Sequence, residues 1–206
     1  MHDASAFILA GGTSSRMGRD KAFLSFAGST LLDRVLTAVR PVIPDVRIVG
    51  SAARFSNFAP TIDDQFSNCG PLGGIHAALE ASNRPLNLIV AVDMPFLEPE
   101  FLCYLLDQAR ASDAPVTIPR AGNRWQPLCA IYRKEFAQVA QSALRSGRYR
   151  IDDLFSQINL RSVDEPEFAA HNFSPQIFCN LNTPEEFERA TLVKRENAGA
   201  QSERDR

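Results

Sequence analysis

Short apolar runs alternate with amphipathic stretches along most of the chain, and several of the runs stop at glycine or aspartate. Phe7-Ile8-Leu9-Ala10 is an unbroken apolar run closed by Gly11-Gly12. That is the pattern of a strand buried on both faces, as in a parallel sheet. Val46-Arg47-Ile48-Val49, the short Thr61-Ile62 before Asp63-Asp64, and the run 88–92 before Asp93 read as further strands. Between them Leu31, Leu32, Val35, Leu36 and Val39 recur at helical spacing, with Thr30 and Asp33 placed as a capping box and Pro41 as the stop. A helix through Ile75, Ala78 and Leu79 should follow the segment Gly70-Pro71-Leu72-Gly73-Gly74. Another should open at Pro99 and carry Phe101, Leu102, Leu105 and Leu106. An amphipathic helix is expected over 135–144, strands over 116–118, 128–132 and 177–181, and a last helix from Thr183-Pro184-Glu185-Glu186.

Strands that alternate with helices build β-α-β units. The expected fold class is therefore α/β: three layers, a mostly parallel sheet with helices on both faces, Rossmann-like. In open sheets of this kind ligands bind beyond the carboxyl ends of the strands. Gly11-Gly12, Asp63-Asp64 and Asp93 should then gather along one edge. The 206 residues fit one domain over 1–193, and the polar, charged stretch 194–206 is expected to be a disordered tail.

Composition removes several function classes. A formal net charge of -2 argues against a general nucleic-acid binder. Cys69, Cys103, Cys129 and Cys179 form no C-x-x-C pair and read as reduced core residues. His2, His76 and His171 have no ligand spacing. The run at residues 6–10 is too short for a signal peptide, and no apolar stretch approaches the ~20 residues of a membrane span, so a cytoplasmic protein is expected.

The loop after the first strand carries the chemistry. Its glycines bring backbone N–H groups close to an anion. Arg16 adds a planar fork for phosphate oxygens and Lys21 a mobile point charge. The Walker A spacing fails because Gly18 is followed by Arg19-Asp20-Lys21, and G-x-G-x-x-G fails because Gly11 and Gly12 are adjacent. Asp93, at the mouth of an apolar strand, suits Mg2+ binding and equally suits capping the turn at Met94-Pro95-Phe96.

The whole segment L-A-G-G-x-S-x-R-M-G-x-D-K resembles the signature of the molybdenum cofactor guanylyltransferase family of nucleotidyltransferases. The resemblance extends to G-P-L-x-G-I at Gly70, D-x-P-F at Asp93 and N-x-N-T-P at Asn180, from Ile8 to about Ala190. It implies Leu9, Ala10, Gly11 and Gly12 as nucleotide contacts, with Arg16 and Lys21 on the phosphates. It implies Asp93 as the Mg2+ ligand, an aspartate upstream of Gly70 on the nucleotide (Asp63 by spacing, with Asp64 the alternative), and Asn180 and Asn182 beside the acceptor. Asp20 before Lys21 resembles the guanylyl branch, whereas Gly50 departs from the asparagine that family members often carry after the second strand. Trp125 suits stacking on a pterin or simple packing, and Arg145, Arg148 and Arg150 suit an acceptor phosphate or a solvated surface.

The implied reaction transfers GMP from GTP to the phosphate of molybdenum cofactor, giving the guanine dinucleotide and pyrophosphate. A CTP-dependent cytidylyltransferase or a sugar-phosphate nucleotidyltransferase is the alternative. The implied partners are GTP, molybdenum cofactor, and cofactor-delivery and molybdoenzyme maturation proteins. Neither nucleic acid nor membrane is among them, and a monomer is expected.

Overall fold

The computed structural model describes residues 3–11, 21–66 and 69–181. Gly12, Arg16, Asp20, Asn182, the helix expected from Thr183 and the stretch 194–206 lie outside the described residues. Strand β1 (Ala4–Leu9) is followed by a 3-10 turn at Lys21–Phe23 and a two-residue hairpin of β2 (Ser25–Phe26) and β3 (Ser29–Thr30). Next come α1 (Leu31–Val39), β4 (Val46–Val49), α2 (Ala52–Phe55), β5 (Thr61–Ile62), α3 (Pro71–Ala81) and β6 (Leu86–Ala91). The second half contains α4 (Pro99–Arg110), β7 (Val116–Ala121), β8 (Arg124–Trp125), β9 (Cys129–Arg133), α5 (Phe136–Arg145) and α6 (Asp152–Phe155). It closes with β10 (Leu160–Asp164), α7 (Glu165–Ala169) and a 3-10 turn at Pro175–Phe178.

The start of α1 shows how local chemistry sets these boundaries. Thr30 is extended (φ -74°, ψ 160°), and its Oγ1 accepts from the Asp33 N–H at 3.1 Å while donating to the Asp33 carboxylate at 2.7 Å. The cap thus satisfies one orphan N–H of the first turn. From there Leu31, Leu32, Val35, Leu36 and Val39 face the core.

One sheet in the order β10-β7-β9-β6-β1-β4-β5 organises the described residues, with β8 paired to β7. β5, β4, β1 and β6 are mutually parallel, β9 runs antiparallel to both β6 and β7, and β7 and β10 are parallel to each other. Alternation along the central strands divides the core in two, because successive side chains point to opposite faces. Ala6 and Ile8 of β1, with Leu88 and Val90 of β6, pack under α1 and α4. Phe7 and Ile89 pack with α3, α5 and α6 on the other face. Phe7 is fully buried, so truncating it to alanine should cost about 3–5 kcal/mol. The three-layer α/β architecture is the one expected.

Two expectations are corrected. Residues 177–181 do not form a strand. Ser174 caps a 3-10 turn by accepting the Gln176 N–H at 3.2 Å, Pro175 occupies its first position, and Ile177 and Phe178 reach the core from that turn rather than through a ladder. The edge beside β7 is instead filled by β10, which residue pattern did not announce. Of the cysteines only Cys129 is a core residue; Cys69 is half-buried, and Cys103 and Cys179 are exposed. Burial pushes the Cys129 thiol up to about 12, so it stays neutral and unreactive.

Candidate active site

The parallel strands end level with one another. Leu9 pairs with both Ala91 and Val49, and Val49 pairs with Ile62. Backbone pairing then continues one step past the strands: Ala10 N–H donates to Val49 O at 3.1 Å, Gly50 N–H to Ile62 O at 2.9 Å, and Val92 N–H to Leu9 O at 3.2 Å. β9 enters from the opposite direction, with Leu128 O accepting from the Ala91 N–H at 2.9 Å. Ala10, Gly11, Gly50, Asp63, Asp93 and Leu128 therefore share one edge.

At its centre Lys21 Nζ donates to Asp93 Oδ2 at 2.8 Å, across 72 residues of sequence. Both side chains are mostly covered, with 19% and 17% exposed. Asp93 Oδ1 is buried and has no hydrogen-bond partner among the described residues. A buried carboxylate oxygen without a donor is costly, and a cation would satisfy it. The residues present thus fit a divalent metal ion at Asp93. Among the described residues no group of three or more His, Cys, Asp or Glu side chains is placed to hold a metal.

The loop bearing Asp93 is fixed from two sides. Arg34 of α1 donates its Nε proton to Pro95 O at 3.1 Å, and its guanidinium lies 5.2 Å from the Phe26 ring centre. Burial lowers the Arg34 pKa from its ordinary value. Phe26 meets Phe96 edge-to-face at 5.5 Å and packs with Leu31 and Leu181. Leu181 N–H donates to Asp93 O at 3.2 Å, which brings exposed Asn180 beside the same corner. Sequence reasoning missed Arg34 and Phe26. Neither stands in a motif, and their link to Asp93 exists only after the hairpin folds onto α1.

The two aspartates after β5 differ in role. Asp64 Oδ1 accepts from the Phe66 N–H at 2.8 Å, making the turn into α3. A Cβ on Gly73 would lie 2.8 Å from Phe66 O and 3.0 Å from both Asp64 carboxylate oxygens, so glycine lets this turn close onto the first turn of α3. Asp63 is left exposed at the strand end.

The remaining candidates make contacts of their own. Trp125 packs edge-on against Phe155 at 6.1 Å with Arg120 over its ring at 5.2 Å, which accounts for it by packing. Arg145, Arg148 and Arg150 are exposed, and Arg148 Nη1 donates to Gln157 Oε1 at 3.4 Å. His76 is buried against Phe66 with neither ring nitrogen hydrogen-bonded among the described residues, and the His171 ring lies tilted 4.6 Å from that of Tyr104.

Comparison with known proteins gives the family of the chain. The model of the MobA-like NTP transferase domain matches residues 6–161. A protein named "probable molybdenum cofactor guanylyltransferase" from Pelotomaculum thermopropionicum is 33% identical over 94% of this chain and 94% of its own length. One of the same name from Natronomonas pharaonis is 34% identical over 92% and 98%. The crystal structure of molybdopterin-guanine dinucleotide biosynthesis protein A from Archaeoglobus fulgidus is similar with a TM-score of 0.82 at 26% identity, covering 93% of this chain and 99% of that one. A 2-C-methyl-D-erythritol 4-phosphate cytidylyltransferase from Thermus thermophilus, 19% identical with a TM-score of 0.68, shares the fold. No helix among the described residues is long and apolar enough to cross a membrane. A match that runs from the first strand into the last, with relatives a third identical over nearly their whole length, makes the chain a nucleotidyltransferase of the MobA-like NTP transferase family.

Proposed function

We propose that the chain transfers GMP from GTP to the terminal phosphate of molybdenum cofactor, releasing pyrophosphate. The observation that carries this reading is the Lys21–Asp93 pair at the level strand ends, with Asp93 Oδ1 buried and unsatisfied. The relatives' names supply the nucleotide and the acceptor.

In the reaction an acceptor phosphate oxygen bonds to the α-phosphorus of GTP while the bond from that phosphorus to the β-phosphate oxygen breaks. A phosphate monoester, with a second pKa near ~6, is already largely ionised at neutral pH. No general base is needed. The difficulty is bringing two anions together. Leu9, Ala10, Gly11 and Gly12 would receive the nucleotide, Asp63 would contact it, and Lys21 with Arg16 would take the phosphates. Asn180 and Asn182 would face the acceptor. Mg2+ held at Asp93 would neutralise phosphate charge. The protein's part is to hold these groups in place beforehand. We place the reaction in the cytoplasm, carried out by a monomer that exchanges its cofactor with delivery and maturation proteins.

Base choice is the finest part of this reading. At position 50, where the chain has glycine, a Cβ would lie 3.0 Å from two carbons of the Phe55 ring. Glycine at 50 offers the base no side-chain contact, so any selectivity for guanine has to come from other groups at this edge. The test is calorimetric binding of GTP, CTP and ATP, with and without Mg2+, to the wild type and to Asp93→Ala. GTP-selective binding that requires Mg2+ and Asp93 is expected. A preference for CTP, or an affinity indifferent to Mg2+ and Asp93, overturns the guanylyl assignment.

A further inference from the structure

Lys21 stands in a turn of only three residues, Lys21–Phe23, too short to hold its own geometry. Two neighbours in the turn anchor it. Ala22 is fully buried in the α1 core. Phe23 is 39% exposed, yet its ring stacks on Phe55 at 5.6 Å with 24° between planes and lies 5.7 Å from Phe58. Stacked aromatic pairs of this geometry attract beyond the area they bury. Phe55 is fully buried at the end of α2, which leaves the β4 strand end through Ser51. Its ring has no slack. A Cβ on Gly50 would stand 3.0 Å from both Cδ2 and Cε2, and the Arg54 guanidinium lies 4.9 Å from the ring centre. The same Cβ would be 3.6 Å from Gly11 N. Phe55 therefore connects the floor of the nucleotide edge to the turn that carries Lys21.

We infer that Phe23 and Phe55 are positioning residues for Lys21: the stack pins the 3-10 turn to α2 so that the ammonium stands at Asp93. Gly50 is glycine because the Phe55 ring needs that space. A side chain at 50 would push Phe55 into Phe23 and displace Lys21. The inference rests on the proposed role of Lys21 toward the nucleotide phosphates. Phe23 suits the test because it is partly exposed, whereas cutting back the fully buried Phe55 would damage the core.

The experiment is a double-mutant cycle read by calorimetric binding of GTP with Mg2+, or of CTP should the wild type select it. The proteins are wild type, Phe23→Ala, Phe23→Tyr, Lys21→Ala and Phe23→Ala/Lys21→Ala, each with its Tm. Lys21→Ala should weaken binding roughly 10- to 100-fold, as expected for losing a charge-assisted contact. Phe23→Ala should weaken it by a part of that, roughly three- to tenfold, with Tm lowered by no more than about 4 °C. Phe23→Tyr keeps the ring and should bind as the wild type does. In the Lys21→Ala background, removing Phe23 should cost nothing further, the mark of an effect exerted through Lys21. Full additivity, or a fall in Tm without any change in affinity, overturns the positioning role while leaving Lys21 in place. Wild-type affinity in Lys21→Ala overturns the role of Lys21 itself, and the positioning role with it.

Discussion

Two partly covered ion pairs sit at different places in this molecule, and they are built to different standards. At the β10–α7 corner, Glu167 has a donor on each oxygen. Tyr104 OH donates to Oε1 at 2.8 Å, Arg161 bonds to Oε1 as well, and Arg161 Nη1 donates to Oε2 at 3.1 Å. Arg161 also reaches Gln108 Oε1 at 2.6 Å. At the strand ends, Asp93 receives Lys21 on one oxygen, and its other oxygen is buried with no donor among the described residues. A fully satisfied pair holds elements together. A pair left half satisfied although more deeply covered is a candidate for binding something else. The difference separates scaffold from site more sharply than charge or burial does.

Substitution at the two corners should therefore separate activity from stability. The largest effect is expected for Asp93→Asn. Nucleotidyl transfer should fall at least about 10²–10³-fold, the scale of losing a group that organises charge in the transition state. Thermal stability should be unchanged or raised, since an under-satisfied buried charge is removed. A clear loss of Tm with transfer retained would make Asp93 a scaffold residue like Glu167 and end the contrast. Lys21→Met comes next, with transfer lowered roughly 10- to 100-fold and little change in Tm.

At the other corner the signs should reverse. Arg161→Met takes the guanidinium from Gln108 and from Glu167, which keeps the Tyr104 hydroxyl, on a site about a third exposed, so a cost of about 1 kcal/mol is expected. For a chain of this size that lowers Tm by about 2–4 °C. Transfer measured well below Tm should be unaffected, and a loss of transfer without loss of Tm would show that this corner serves the site.

The contrast also explains what sequence reasoning reached. The long apolar runs of β1 and β6, the Thr30–Asp33 cap and Pro99 at the start of α4 are local signals, and each element formed where it pointed. Because the parallel strands end level, knowing the strand ends was enough to place Ala10, Gly11, Asp63 and Asp93 on one edge. β10 was invisible because an edge strand with only Val163 fully buried carries no alternation. Residues 177–181 misled because apolar residues reach a core equally well from a capped turn. Arg34, Phe23 and Phe55 were missed for a related reason. Their contacts link residues 32 to 61 positions apart, and nothing in their own neighbourhoods signals it.

The smallest effect refines the comparison through pH. The hydrogen bonds from Arg161, and then from Tyr104, hold the Glu167 carboxyl below its ordinary value of 4.5, against the opposing effect of its burial. A carboxyl whose folded pKa is depressed stabilises the fold above its unfolded pKa and loses that contribution as pH falls through the folded value. Glu167→Gln should therefore cost under about 1 kcal/mol at neutral pH, because the site is about a third exposed and screened by solvent. The difference between wild type and variant should shrink as pH drops below about 4.5 and close once the wild-type carboxyl is protonated. Tyr104, raised to about 12 first by burial and then by its bond to Glu167, adds no slope in this range. Denaturant midpoints of the two proteins from pH 7 to 3 measure the gap directly. A constant offset across that range would mean that Glu167 contributes through packing and shape, and that the satisfied pair owes its stability to something other than the charge it carries.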